Sequence, residues 1–284
     1  MTISREIDEY YNFLKPKKFN DLIRIGNKYD GGYIVPKNLL KETDGLLSFG
    51  YGYDPSFEYE YIELTNKKVF IYDYSCSLYY LIKFFLKYLK RFLLFKKKLK
   101  DVAFHYGNLK KHINFLRNKK INYQKKKIVP NKIENSKAFV STHSAGEVPF
   151  LTSEVSVDHI FNNCNLKKLI LKCDIEGTEY LIIDDILKHH ERIDIITMEF
   201  HWVDKNLKDF EECIKKILQY FAIVHIHGNN HYQFIENINI PIIPEITFVK
   251  KKYITERSDL KEFPVKDLDN PNNRFVDDLF FHFK

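Results

Sequence analysis

The sequence has only four cysteines, Cys76, Cys164, Cys173 and Cys213, and no two of them form a C-x-x-C pair. That scatter argues against a zinc knuckle and against a disulfide framework. No segment approaches the ~20 consecutive apolar residues of a membrane span. The opening Met1-Thr-Ile-Ser-Arg-Glu6 lacks the apolar core of a signal peptide. These absences point to a cytoplasmic protein without a membrane span. No internal repeat is evident. A chain of 284 residues can bury one large α/β core. The expectation is one domain over 1–284, with a basic helical and loop insertion at about 76–148.

Acidic residues are missing from one region. Residues 83–132 hold 17 Lys or Arg against a single acid, Asp101, although the whole chain carries only +7. The rest of the chain is therefore net acidic, and the basic character is local. Within this region Leu78–Leu99 reads as one basic amphipathic helix and Val102–Tyr106 as a strand. The stretch from Lys110 to about Val148 is irregular enough to be a mobile loop or lid. Four roles fit the charges and aromatics: a substrate lid binding phosphate, a membrane-surface helix, a nucleic-acid face, or a solvated helix with its apolar side in the core or at a homo-oligomer interface.

What is present begins with Leu46-Leu-Ser-Phe-Gly-Tyr-Gly-Tyr-Asp54, a short apolar strand running into a glycine turn. Asp73 ends the next apolar run, about 20 residues on, where a carboxylate in a doubly wound sheet meets ribose hydroxyls. Gly50 and Gly52 permit close backbone approach to a ligand. A dinucleotide site wants a small residue where Pro55 stands, and an acid at Glu58 would repel a diphosphate. A zwitterionic nucleoside such as S-adenosylmethionine (SAM) fits better than NAD. The cofactor-binding set is Gly50, Gly52, Ser56, Asp73, Tyr74 and Asn108, the last placed just past the strand at Val102–Tyr106. Asn108 reads equally well as a turn residue.

Further along, an N-terminal helix is expected around Ile7–Leu14, and Asp30-Gly31-Gly32 reads as a turn between two β-like runs. Strands are expected at Gly45–Phe49, Val69–Asp73, Leu169–Cys173, Ile193–Phe200 and Ala222–His227, with Glu245–Lys250 as an edge strand. Helices are expected at Ser56–Thr65, Val157–Asn163, Glu179–Lys188 and Lys208–Tyr220. This alternation implies a Rossmann-like α/β fold of the class I methyltransferase kind, mostly parallel with an antiparallel last strand.

Ligands in such sheets lie beyond the strand carboxyl ends. There stand Asp174, Glu199, His201, His225 and His227. Carboxylates and imidazoles together suit a divalent cation such as Mg, Mn or Fe, with Asp174, Glu199 and His227 as its ligands. They suit equally a protein base, Asp174 or His201, and a purely structural reading also stands.

Leu171-Lys-Cys-Asp-Ile-Glu-Gly-Thr-Glu179 is similar to the L-K-x-D-x-E-G-x-E motif of FkbM-family methyltransferases, and Ile196-Thr-Met-Glu-Phe-His201 resembles that family's following strand. Asp30-Gly-Gly-Tyr-Ile-Val-Pro36 and Ser48-Phe-Gly-Tyr-Gly-Tyr-Asp54 resemble its bacterial surface-polysaccharide branch. The resemblance runs from about Arg24 to Lys250. It implies SAM-dependent O-methylation of a sugar hydroxyl, with any metal held by Asp174 and Glu199. With the basic region, it suggests a nucleotide-linked sugar for capsule or lipooligosaccharide synthesis, and no nucleic-acid partner. A methyltransferase-like module that binds membrane or RNA without turnover is the alternative. The chain departs from the family at Tyr72-Asp73-Tyr74, where Phe-Glu-Pro is common, and in the basic region.

Overall fold

The computed structural model describes residues 4–52, 54–76, 78–96, 98–131, 153–255 and 258–284. In chain order it has strand β1 (Arg5–Glu6), a 3-10 turn at Glu9–Leu14, and a hairpin of β2 (Leu22–Gly26) and β3 (Gly32–Pro36). Helix α1 (Lys37–Glu42) leads to β4 (Gly45–Phe49), α2 (Ser56–Thr65) and β5 (Lys68–Tyr72). The basic region forms α3 (Leu78–Leu93), α4 (Leu99–Leu116), β6 (Ile121–Gln124) and β7 (Lys127–Val129). Then come β8 (Glu154–Ser156), α5 (Val157–Asn163), β9 (Leu169–Cys173), α6 (Glu179–Lys188) and β10 (Ile193–Glu199). The chain closes with α7 (Leu207–Ile217), β11 (Phe221–Gly228), β12 (Pro244–Lys250), β13 (Glu262–Phe263) and β14 (Phe281–His282).

Seven strands make the main sheet in the order β11-β12-β10-β9-β4-β5-β6. All pairs from β10 to β6 are parallel, and β12 runs antiparallel to both of its neighbours. This strand order is the Rossmann-like class I methyltransferase fold. After β4 the chain moves outward to β5 and β6, then returns to lay β9 and β10 on the other side of β4. The tips of β4 and β9 thus flank the switch point where such sheets open a crevice.

Strand periodicity divides the core. Leu46, Ile170 and Ile195 face one side with the β2–β3 hairpin, α1 and α2, while Leu47, Leu171 and Ile196 face α5, α6 and α7. Both sets are fully buried, which is why these strands read as unbroken apolar runs. Helix α2 stops where Asn66 adopts the left-handed conformation and returns its N–H to Ile62 O at 2.7 Å.

Five expectations change. Val102–Tyr106 lies within α4 and is not a strand. Val102, Leu109, His112 and Phe115 are buried at helical spacing, a pattern the short apolar run concealed. The third parallel strand is instead Ile121–Gln124, a half-exposed edge whose sequence carries little apolar signal. The single helix over 78–99 is two, separated by a turn in which Phe95 takes a φ of 58°. Glu245–Lys250 is not at the edge: β12 is inserted between β10 and β11, and β11 is the outer strand. The N-terminal helix is reduced to the 3-10 turn, capped by the Asp8 carboxylate on Tyr10 N at 2.9 Å. The expected lid partly resolves into the end of α4, β6 and β7, which pairs with β8, while 132–152 lie outside the described residues.

One polar group is built into this core. Lys172 on β9 is buried, donates to Gly50 O at 2.7 Å and sits 3.9 Å from Glu58 Oε1 on α2. Burial alone would lower its pKa, but Glu58, Asp174 and Asp73 outweigh that and raise it, so the ammonium stays charged. Glu58 therefore points inward to Lys172 and to Ser48 Oγ at 2.6 Å, rather than toward a ligand as an acid that would repel a diphosphate. Removing one member of a buried pair strands the other. Lys172→Met should lower stability by about 3–5 kcal/mol in urea denaturation, with Lys172→Met/Glu58→Gln recovering part of the loss.

Candidate functional site

The glycine turn is held from two sides. Gly50 has a φ of +76°, and a Cβ there would lie 1.7 Å from Asp174 O, so the tips of β4 and β9 meet at a point only glycine can occupy. Asp73 holds the other side. Its Oδ2 accepts from Tyr51 N at 2.9 Å and Gly52 N at 3.0 Å. Its Oδ1 accepts from Ser75 N at 2.6 Å, Ser75 Oγ at 2.7 Å and Cys76 N at 3.2 Å. A carboxylate offers about four acceptor positions, and the chain itself fills them. Asp73 here shapes the turn, and a ribose diol would have to displace some of these donors to bind it.

Beside the turn is a cleft lined by Gly50, Gly52, Tyr74, Lys126, Lys127 and Asp174 to Glu176. Tyr74 is partly exposed on its rim. Ser56 begins α2, donating its N–H to Asp54 Oδ1 at 3.0 Å, and its buried hydroxyl has no hydrogen-bond partner. Asn108 belongs to α4 and does not follow a strand, so the reason for placing it at an adenine edge is gone.

The second half of the site begins at Asp174. His201 Nε2 lies 3.7 Å from Asp174 Oδ1 and 3.7 Å from Glu176 Oε2. Its Nδ1 is 3.0 Å from Glu179 Oε1, which also accepts from Ile175 N at 2.9 Å. Tyr180 donates to His201 O at 2.7 Å and fixes the backbone. Burial would depress the imidazole, but Glu179 in direct contact, with Glu199 and Asp174, holds His201 well above its ordinary value. Ligand atoms of Asp174, Glu176 and His201 all fall within 4.8 Å of one another. An imidazole whose far nitrogen is oriented by a carboxylate, beside two carboxylates, is a donor set that fits a divalent cation.

Glu199 lies next to this group. Its Oε1 accepts from Asn229 Nδ2 at 2.9 Å, and Tyr33 OH bridges its Oε2 at 3.2 Å to Asp174 Oδ2 at 3.1 Å. Burial, reinforced by the Asp174 charge, pushes the Glu199 carboxyl well above the usual carboxylate range. Of the expected metal set, Asp174 and Glu199 come together but His227 does not. Its Nδ1 and Nε2 face Glu245 and Asp278, each at 3.1 Å, one strand further out, since Glu245 itself pairs with Glu199 across β12 and β10. His225 is likewise bound to Asp269 at 3.0 Å.

Sequence reasoning missed Tyr33, Glu176, Glu179 and Asn229. Tyr33 sits in the Asp30-Gly31-Gly32 hairpin, and Glu176 and Glu179 lie inside the motif that singled out Asp174, so the signal was at hand. Trp202 and Glu176 share a left-handed φ of 57°, a strained arrangement for bulky residues that turns both around Gly177. The Trp202 ring packs edge-on against Tyr232 at 4.8 Å.

No family model matches the chain, and no curated protein matches it. The motif resemblance to FkbM enzymes thus remains one of short segments. Among solved structures, the chain is similar to SMU.1697c of Streptococcus mutans, solved with SAH, at 10% identity over 75% of this chain and 94% of that one, with a TM-score of 0.36. It is also similar to an rRNA methylase from Streptococcus thermophilus, at 10% identity over 75% and 93% of the chains and a TM-score of 0.34. The 23S rRNA methyltransferase ErmE matches at 11% identity over 78% and 69%, with a TM-score of 0.32. The fold assignment rests on the strand order itself.

His201 supplies a pH signature. Its folded pKa is raised, so its contribution to stability is complete below the unfolded value of about 6.5 and is lost as pH rises through the folded value. In metal-free protein, unfolding free energy should fall as pH climbs above about 6.5, and His201→Gln should flatten that slope. Urea titrations across the range measure both.

Proposed function

We propose that this chain is a SAM-dependent O-methyltransferase acting on a sugar hydroxyl. The observation that carries the reading is the junction of two features at the β4/β9 switch point. The glycine turn opens a cleft there, and Asp174, on the facing strand tip, belongs to an acid–imidazole cluster built on the buried His201. A donor in the cleft would thus present its methyl group toward Asp174.

The chemistry is a displacement. The sugar oxygen attacks the sulfonium methyl, the C–O bond forms, the C–S bond breaks and its electron pair returns to sulfur. The hydroxyl proton needs an acceptor. His201 is held as an imidazolium and has no free lone pair. Asp174 therefore takes the proton, with His201 as the compensating charge 3.7 Å away. Asp174 and Glu176 would hold a divalent cation, joined by His201 only once its Nε2 proton is released, and the cation when bound would lower the pKa of the hydroxyl.

The substrate assignment draws on the side chains that surround Asp174 and His201. Carboxylates accept hydrogen bonds from sugar hydroxyls. The half-buried Trp202 and Tyr232 offer aromatic surface for the apolar face of a pyranose. Lys126 and Lys127, which line the cleft, suit the phosphates of a nucleotide-linked sugar.

Incubation with SAM and a panel of nucleotide sugars should produce a gain of one methyl group by mass spectrometry. Asp174→Asn should reduce turnover by about 10²–10⁴-fold, with SAM still binding in calorimetry. Chelation followed by Mg, Mn or Fe add-back would separate metal-assisted from base-only transfer. A protein that binds neither SAM nor its demethylated product would overturn the reading.

A further inference from the structure

We propose that α3 docks in-plane on an anionic lipid bilayer. Residues 78–100 contain eight Lys or Arg and no acid. The helix carries two apolar stripes. Leu81, Phe85 and Phe92 are half-buried, and Phe85 meets Tyr106 of α4 with ring centroids 5.8 Å apart, so this stripe is the internal packing face. The second stripe, Leu78, Ile82, Leu86 and Leu93, spans an arc of about 80° at 100° per residue. Its members are 38, 38, 53 and 67% exposed. The exposed run continues past the helix through Leu94 to Phe95, which is 98% exposed. Packing against α4 uses one stripe and leaves the other bare.

The cations are placed to match. Lys83, Lys87 and Lys90 border the exposed stripe about 40–100° further round the helix. A surface groove combines Leu86 and Leu94 with these three lysines, Arg91 and Lys96. Apolar side chains flanked by lysines on one helix form the pattern of an interfacial helix, with acyl chains taking the stripe and anionic headgroups the cations. No helix among the described residues is long and apolar enough to cross a membrane, which leaves surface attachment. RNA would reward the cations and the exposed rings of Tyr79, Phe84 and Phe95 but gain little from the aliphatic stripe of Leu78, Ile82, Leu86 and Leu93, which acyl chains would cover. A second copy packed two-fold on this face would set lysines against lysines.

The inference does not depend on methyl transfer and can fail separately. Sedimentation with vesicles of phosphatidylcholine alone and of phosphatidylcholine with phosphatidylglycerol should show at least roughly tenfold stronger binding to the anionic set. Ile82→Glu/Leu86→Glu/Leu93→Glu should abolish that binding with an unchanged circular dichroism spectrum. Lys83→Gln/Lys87→Gln/Lys90→Gln, confined to exposed side chains, should weaken it and keep the fold. The proposal is overturned if the intact protein ignores anionic vesicles or if the stripe variant binds them as well as the parent. It is equally overturned if the stripe substitutions dissociate a dimer, or if RNA binding occurs without vesicle binding.

Discussion

The contact between Gly50 and Asp174 governs the rest of the site. Two parallel strands reach the switch point so closely that the carbonyl of one occupies the space of a side chain on the other. That approach puts Asp174 at the mouth of the cleft, and three polar contacts keep the turn in place. Lys172 anchors the Gly50 carbonyl, Asp73 gathers the amides of Tyr51 and Gly52, and the Cys76 thiol bonds to Gly52 O. Tyr51 in turn stacks on His112, which ties the basic helices to the turn. The cleft and the acid cluster thus share the β4 and β9 tips.

The acid cluster is an electrostatic problem solved locally. Asp174, Glu176, Glu179 and Glu199 crowd around one imidazole: Glu179, Glu199 and Asp174 hold His201 above its ordinary value, and burial with the Asp174 charge raises Glu199. A group of like charges held this way, in a crevice rather than within the core, is characteristic of sites that bind cations or accept protons. The second polar cluster, around His227 and Asp278, has a different character. It is closed over by the C-terminal segment, with Asn272 reaching Glu245 at 2.6 Å and Asn230 reaching the backbone of residues 273, 276 and 277. It fastens that segment to the sheet.

The central strands and the helices between them were legible because burial on both faces demands unbroken apolar runs and because helical periodicity fills the stretches between them. Asp174 and His201 could be named as candidates because strand tips are where such sheets place ligands. His227 was misplaced for a physical reason. Residues two apart share a strand face, but the sheet edge at β11 lies under the C-terminal segment, whose contacts no local pattern discloses. The basic region failed differently, because its apolar residues serve an internal face, an exposed stripe and a short edge strand in quick succession.

Local chemistry alone determined the strand–helix alternation, the glycine turn and the acidic motif after β9. Each depends on backbone sterics, periodicity or capping within a few residues. Only the tertiary structure decided that Asp73 spends its acceptors on the turn, that Glu58 faces Lys172, and that Tyr33 bridges Asp174 to Glu199. Those outcomes join residues up to 166 positions apart, and the direction of a side chain across such a distance is settled by packing rather than by sequence neighbours.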